Sequence, residues 1–531
     1  MKIGWQKLLL VFLIQMFTWQ SFGQSHEERL ARLNDREEAA WRYTELTYQF
    51  LDNVYLETYC KKNEIFYLGC VAGLEELSKA LNFQNEVRMT DQSFDIVINP
   101  ELTLSDEYAQ SKAFELKRRQ RFQAMIKTFS SQKDRLQTYY TQLKSKLPNP
   151  APYQIAAVMN AIESVIYDVH TRYEPAFKYN ASRITRKNAI IGIRFLKLSR
   201  GIYIDGVVPG LPAELAGIKA GDYILKADGQ NVSSFSETAF DNLLDKPLGG
   251  SVELVVQREN RQFIARPQFV AAQAPEYVAR VINFDGKNYS YLQFPDFMNT
   301  QMCKILSQEL KKAQKNAHGL ILDLRNNGGG YKDLTPCVLG SFIGSEKIIL
   351  FSVSLTVNQG EYTLSHGSQI YKHPVVVLVN ASTASAAEIV AGNLQAHGRG
   401  FIIGTPTKGK GTEQDVSRLH RFNRYQTTRA YYLGNGVSPQ LTGITPNLAS
   451  YVNPTPLESE LHALREADIG IFPLAIPKRQ FAKAIKSKPL STPSECLNQK
   501  NVHQIYENLS LSDWTRDLQV LNGLAYLSCQ Q

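Results

Sequence analysis

Apolar positions recur every three to four residues through the first part of the chain. In Ala40, Trp41, Tyr43, Leu46, Tyr48, Phe50 and Leu51, and again in Tyr67, Val71, Leu74 and Leu77, they follow the 3.6-residue period of a helix with one buried face. The pattern predicts an all-helical region ending at Pro148-Asn149-Pro150-Ala151-Pro152, where closely spaced prolines break a helix. One more helix, Ile155 to Tyr167, is expected before the texture changes.

From about Asn188 to Val270 the chain turns to short β-type runs: Ile190-Ile191-Gly192-Ile193, Ile202 to Val208 and Val252 to Val256. Helices are expected near Pro212 to Ala216 and from Ser236 to Leu244, giving a small α+β module. Past Ala274 strands and helices alternate: strand Tyr289–Leu292, helix Gln301–Ala317, strand Gly319–Leu324, strand Val375–Val379, helix Ala386–Ala396, strand Phe401–Ile403. Alternation of this kind implies a largely parallel sheet covered on both faces. The expected fold class is multi-domain α/β, with an N-terminal segment 1–23, an all-helical domain 24–180, an α+β domain 181–272, an α/β core 273–455 and a tail 456–531 with no readable structure.

The chain has 531 residues, too many for one core, since single domains stop growing near about 250–300 residues. With 43% apolar and 21% charged residues it reads as an ordinary globular protein. Lys2 and Lys7, the apolar run Leu8–Trp19 and the small residues near Gly23 have the layout of a secretory signal peptide. Export to a periplasmic or extracellular space is therefore expected, with an uncleaved N-terminal anchor as the alternative. Removing 1–23 takes two lysines from the net charge of +9. The densest basic cluster, Lys117-Arg118-Arg119 with Arg121, shares its helix with Glu115 and reads as a solvated face, so no nucleic-acid partner is expected. Cys60 and Cys70, Cys303 and Cys337, Cys496 and Cys529 lie in three neighbourhoods. Export would let them oxidise, but six cysteines allow 15 pairings and the sequence does not choose.

Candidate chemistry sits at strand ends. Ser385 follows the buried-type strand 375–379 and opens a helix, a place more often taken by an ordinary N-cap than by a nucleophile at a ligand-binding strand end. The N–H of Ala386 at the helix start is a natural oxyanion donor. A second could come from the glycine-rich turn Arg325-Asn326-Asn327-Gly328-Gly329-Gly330. A serine needs a base. His397 lies twelve positions further along the same helix, about 18 Å of rise, so it cannot serve. Lys410, in Lys408-Gly409-Lys410-Gly411-Thr412, is the better candidate. To accept a proton it must be neutral, which requires burial to bring its pKa from about 10.4 toward about 7. A phosphate-loop reading of Gly404 to Gly411 fails where Gly411 replaces the magnesium-binding Ser or Thr.

Together these segments resemble the carboxyl-terminal processing peptidases, or tail-specific proteases, across about residues 150–455. Asn380 to Ile389 is similar to that family's Ser-Ala-Ser-Ala-Ser-Glu-Ile segment, placing its nucleophile on Ser385. Lys408 to Gln414 is similar to Phe-Gly-Lys-Gly-Thr-x-Gln, placing the catalytic lysine on Lys410 and its orienting glutamine on Gln414. Leu322 to Gly330 resembles Leu-Asp-Leu-Arg-Asn-Asn-Pro-Gly-Gly, which makes Gly329 the second oxyanion donor beside Ala386. Asp168 to Tyr173 and Gly443 to Asn447 match two further segments. The α+β module then resembles a PDZ domain, with Ile190, Ile191, Gly192 and Ile193 as the loop that holds a peptide carboxylate. The chain departs from the family at Gly328, Ala387 and Ala396, the last a position often acidic in relatives.

The resemblance implies a ClpP/crotonase-like core with an inserted PDZ domain. It implies an exported serine endopeptidase that docks apolar protein C-termini on the PDZ domain and cuts through a Ser385–Lys410 dyad. No metal or organic cofactor is implied, and the helical domain and tail are expected to meet a regulatory partner or a second copy. The alternatives are a catalytically silent peptide-binding protein and an esterase or amidase on the same dyad.

Overall fold

The computed structural model describes most of residues 170–530, with gaps at 176–188, 272–276, 455–464, 469–475, 491–498 and a few shorter ones, and short pieces of 60–146. The N-terminal segment, the expected helix 155–167 apart from the buried, helical Met159, and most of the helical domain lie outside the described residues.

The module after residue 189 is a twisted antiparallel sheet. Its strands β1 (Ile193–Leu198), β2 (Gly201–Val207), β3 (Tyr223–Ala227), β4 (Leu254–Arg258) and β5 (Arg261–Ala265) lie in the order β5-β4-β3-β2-β1. A helix, α1 (Glu237–Leu243), lies beside β1, where Phe195 and Phe240 meet edge-to-face at 4.9 Å. Ile202, Ile204, Ile224, Leu254, Val256 and Phe240 fill its core.

The α/β core follows. Strands β6 (Val278–Phe284), β7 (Lys287–Gln293), β8 (Leu320–Asp323), β11 (Val375–Val379), β12 (Phe401–Gly404) and β15 (Leu448–Ala449) form one sheet in that order, parallel from β7 onward. Helices α2 (Met302–Asn316), α3 (Thr335–Ile343) and α4 (Ala386–Ala396) contribute to the packing of one face. A second, antiparallel sheet holds β9 (Ile348–Ser354), β10 (Gly360–Leu364), β13 (Thr412–Leu419) and β14 (Phe422–Leu433), ordered β10-β9-β14-β13, with the strand Arg172–Pro175 also paired to β14.

Side-chain alternation explains the layers. Val375, Val377 and Val379 of β11 pack toward the helices with Leu320, Leu322 and Ile402. Val376 and Leu378 point the other way with Ile321, Phe401 and Ile403. That second face is covered by the tail: α5 (Gln499–Asn508) and α6 (Leu518–Cys529) bring Val502, Tyr506, Val520, Leu521, Leu524 and Leu527 against it. Phe401 and Tyr526 stack at 3.9 Å. Helices α5 and α6 of the tail are therefore a layer of the core. Burying an aliphatic side chain of this size contributes about 1.5–3 kcal/mol, and the sheet's continuous apolar strands need both covers.

Cys60–Cys70 and Cys303–Cys337 are disulfides, and Cys529 is disulfide-bonded as well. The second ties α2 to α3.

Candidate active site

Three neighbouring parallel strands, β8, β11 and β12, end side by side. They deliver the glycine turn, Ser385 and the Lys410 loop to one place. Short bonds lock the three together: Ala384 N–H to Asn327 O at 2.9 Å, Thr383 Oγ1 to Leu324 O at 2.8 Å, and Lys408 N–H to Thr383 O at 2.9 Å.

Ser385 is the N-cap of α4, and its backbone lies at φ 56° and ψ −121°. A non-glycine residue there costs on the order of 1–3 kcal/mol. The strain produces a sharp strand-to-helix turn of the kind that presents a nucleophile, without the flanking glycines that usually announce one. Ala386 opens the helix, so its N–H has no intrahelical acceptor.

Gly329 sits directly against this turn. A Cβ on it would lie 2.7 Å from Ser385 Cβ, 2.8 Å from Ala384 O and 3.0 Å from Ala386 N, and its φ of +100° also disfavours a side chain. Its N–H, expected to be the second oxyanion donor, is turned elsewhere: it donates to Asn327 Oδ1 at 2.9 Å. Asn327 is fully buried and its Nδ2 donates to Phe294 O at 2.8 Å, which aims the carboxamide oxygen back at Gly329 in an Asx-type turn. Gly329→Ala is expected to lower turnover at least about tenfold, because the shift needed to seat the methyl moves the Ser385 turn. An unchanged kcat in that variant would show the contact to be unimportant. At Gly328 a Cβ would meet nothing within 4 Å.

Lys410 is half-buried on the loop from β12 to β13. Its Nζ donates to Gln414 Oε1 at 2.6 Å and makes a longer contact of 3.4 Å to Thr412 O. Gln414 Nε2 donates to Thr412 Oγ1 at 3.1 Å and Thr427 Oγ1 at 3.0 Å. With its amide nitrogen committed to two hydroxyls, the glutamine presents only its oxygen to the lysine. His397 closes the far end of α4, its Nδ1 on Asn393 O at 2.9 Å.

Glu388 was not singled out from the sequence, although Ser385-Ala386-Ala387-Glu388 has capping-box spacing. Its fully buried carboxylate accepts four bonds. Oε1 takes Thr407 Oγ1–H at 2.5 Å and Gly409 N–H at 2.8 Å; Oε2 takes Ser385 N–H and Lys410 N–H, both at 2.9 Å. Two such bonds to one oxygen keep the Ser385 and Lys410 amide nitrogens no more than about 6 Å apart. Burial pushes the Glu388 carboxyl up to about 7, against the pull of those four bonds. Tyr431 adds a second bridge, its hydroxyl contacting Ser385 O at 3.3 Å and also Lys410 O.

In the small module, Ile190 belongs to a two-residue strand paired with Val270–Ala271. Ile191 O accepts from Ala213 N–H and Gly192 O from Val208 N–H, both at 2.8 Å. Gly192 has φ +86°, and a Cβ there would lie 2.5 Å from Leu211 Cβ. Ile193 begins β1, which ends the sheet order with no strand paired to its outer edge among the described residues.

The pattern of Peptidase family S41 matches residues 288–450, and that of the PDZ domain matches 203–258. A carboxy-terminal-processing protease of Bartonella bacilliformis is 30% identical over 310 residues, 55% of this chain and 69% of that protein. A chloroplastic C-terminal processing peptidase of Tetradesmus obliquus is 28% identical, covering 61% of this chain and 74% of that one. Among solved structures, the photosystem II D1 C-terminal processing protease aligns at 24% identity with a TM-score of 0.39, covering 68% of this chain and 98% of that one. The strained serine turn, the lysine loop beside it and the small edge-stranded module are thus features of a chain that belongs to peptidase family S41, a serine-type peptidase carrying a PDZ domain.

Proposed function

We propose that this peptidase is an exported endopeptidase that docks protein C-termini on its PDZ domain and cuts with a Ser385–Lys410 dyad. The observation that carries the reading is the shared Glu388 oxygen, which holds the backbones of Ser385 and Lys410 to each other at the ends of adjacent strands. Ser385 Oγ attacks the scissile carbonyl and Lys410, uncharged and oriented by Gln414, takes its proton. The same amine returns a proton to the leaving nitrogen, and water then repeats the sequence on the acyl-enzyme. Ala386 N–H stabilises the oxyanion, a contribution of about 3–4 kcal/mol per donor. Gly329 N–H joins it once Asn327 Oδ1 releases it.

The layered core is read as ClpP/crotonase-like, preceded by the helical domain. Docking uses the outer edge of β1 next to α1, where a chain end adds a strand and the loop 190–193 receives its carboxylate. Two described disulfides support an oxidising compartment, in line with the signal-peptide pattern of residues 1–23.

The test is cleavage of one unfolded protein carrying two different C-termini, with Ser385→Ala as the blank. An apolar last residue is expected to give a KM about tenfold lower than an aspartate there, equivalent to about 1.4 kcal/mol, at similar kcat. Equal KM values would remove the PDZ docking step. No cleavage above the blank would remove the peptidase reading itself.

A further inference from the structure

The loop Thr407–Gly411 has every backbone polar group paired, and the source of two of those bonds is unexpected. Thr407 N–H donates to Ile444 O, Lys408 N–H to Thr383 O, Gly409 and Lys410 N–H to Glu388, and Gly411 N–H to Gln440 Oε1. Gly409 O accepts from Leu441 N–H, Lys410 O from the Tyr431 hydroxyl and Gly411 O from Tyr431 N–H. The remaining carbonyls, those of Thr407 and Lys408, are met by residues beyond the family-matched region. Arg465 Nε donates to Thr407 O at 3.0 Å, and Glu466 N–H donates to Lys408 O at 2.9 Å.

The segment supplying these donors is itself anchored. Arg465 N–H donates to Asp468 Oδ2 at 3.0 Å and Asp468 N–H to Arg465 O at 2.9 Å, closing a turn. The Arg465 guanidinium also reaches Thr442 O. The approach is tight, since a Cβ on Gly443 would lie 2.3 Å from Thr407 O and 2.7 Å from Arg465 Nη2. The Glu466 carboxylate, 4% exposed, is held by His170 Nε2 at 2.8 and 2.9 Å.

We infer that Arg465 and Glu466 are positioning residues for Lys410: the turn 465–468 clamps the lysine loop from outside the peptidase region, and His170 anchors the clamp. The inference rests on the dyad reading for its catalytic consequence, while the clamp itself is a statement about the loop. A buried carbonyl that loses its donor must find water or move, and a loop carrying a base tolerates little displacement.

The test compares the full chain with Arg465→Ala, Arg465→Lys, Glu466→Gln and His170→Ala, measuring peptide-level deuterium uptake and turnover. Arg465→Ala is expected to speed uptake about tenfold in a peptide spanning 405–414 and to leave 386–396 unchanged, as a local opening does. Turnover should fall about tenfold in kcat with KM within about twofold, since docking occurs elsewhere. Arg465→Lys should recover part of both effects, and Glu466→Gln and His170→Ala, which loosen the anchor of the clamp, should fall between Arg465→Ala and the parent. Unchanged uptake at 405–414 in Arg465→Ala overturns the clamp whatever the turnover. Faster uptake throughout the core also overturns it, by showing a general stability role. If the parent does not cut more than Ser385→Ala, the dyad reading falls and the uptake comparison still decides the clamp.

Discussion

Lys410→Ala is expected to reduce kcat on an unfolded protein substrate by about 10³-fold, within the range of about 10²–10⁴ for loss of a positioned general base. Ser385→Ala should bring turnover to background, and the double variant should be no slower, because groups acting on one proton transfer do not contribute additively. Lys410→Arg is the informative control. It keeps the positive charge and much of the packing but cannot give up its proton in a protein, so it should be as slow as Lys410→Ala. Fluorescence-monitored cleavage at saturating substrate, with thermal unfolding to show that each variant is folded, makes the comparison. An active Lys410→Arg protein would mean that the amine serves as a charge or a spacer, and the proposed chemistry would be wrong.

The second large effect is expected at Glu388. Glu388→Ala removes the acceptor for Ser385 N–H, Lys410 N–H, Gly409 N–H and Thr407 Oγ1–H in one step. Each buried donor left unpaired costs about 1–3 kcal/mol, reduced by whatever water enters, so a loss of about 3–5 kcal/mol and an apparent Tm about 10 °C lower are expected. Turnover should collapse along with it, because the same oxygen joins the Ser385 and Lys410 backbones. The carboxyl also gives stability a definite pH dependence. Burial raises it from 4.5 in the ordinary state to about 7 in the fold, so between these values the folded chain keeps a proton that the unfolded chain has lost. Its contribution therefore favours folding most below about 4.5 and declines as pH rises toward 7. The gap corresponds to about 3 kcal/mol at 1.36 kcal/mol per pH unit. Denaturant unfolding across this window should show that decline in the parent and a flatter profile in Glu388→Gln. A Glu388→Gln variant with the parent's slope would assign the pH dependence to other groups.

Much of the site could be read along the chain because its parts are local. Ser385 stands at a strand-to-helix junction, Lys410 lies between two glycines after the next strand, and Gln414 is four positions further on. The lysine–glutamine bond is present as expected, at 2.6 Å. The closeness of Gly329 to the serine turn and the direction of its amide were not readable along the chain. That direction depends on Asn327, whose own orientation is set by Phe294 O across the core. Glu388 carried a readable capping-box spacing, yet that pattern promises only a bond to Ser385. Its contacts to Thr407, Gly409 and Lys410 arise from strand order, which brings β12 beside β11.

The tail is the clearest case of information absent from local pattern. Its helices have no obvious partner until the parallel sheet exists, whose outward-facing Ile321, Val376, Leu378, Phe401 and Ile403 form the surface they cover. Arg465 and Glu466 likewise look like ordinary surface charges in the sequence, and only the folded chain sets them on the carbonyls of Thr407 and Lys408.

By itself, the amino-acid sequence determined the core strands β7, β8, β11 and β12, the helices α2 and α4, and the small residues around the strained turn. These follow from side-chain period and backbone freedom within a few positions. Tertiary structure alone decided which acceptor the Gly329 amide meets, which carboxylate joins the Ser385 and Lys410 backbones and which distant turn holds the lysine loop. Those contacts join residues as many as 296 positions apart, as His170 and Glu466 are. Hydrogen-bond geometry of that kind is set by strand order and packing, which no local spacing encodes.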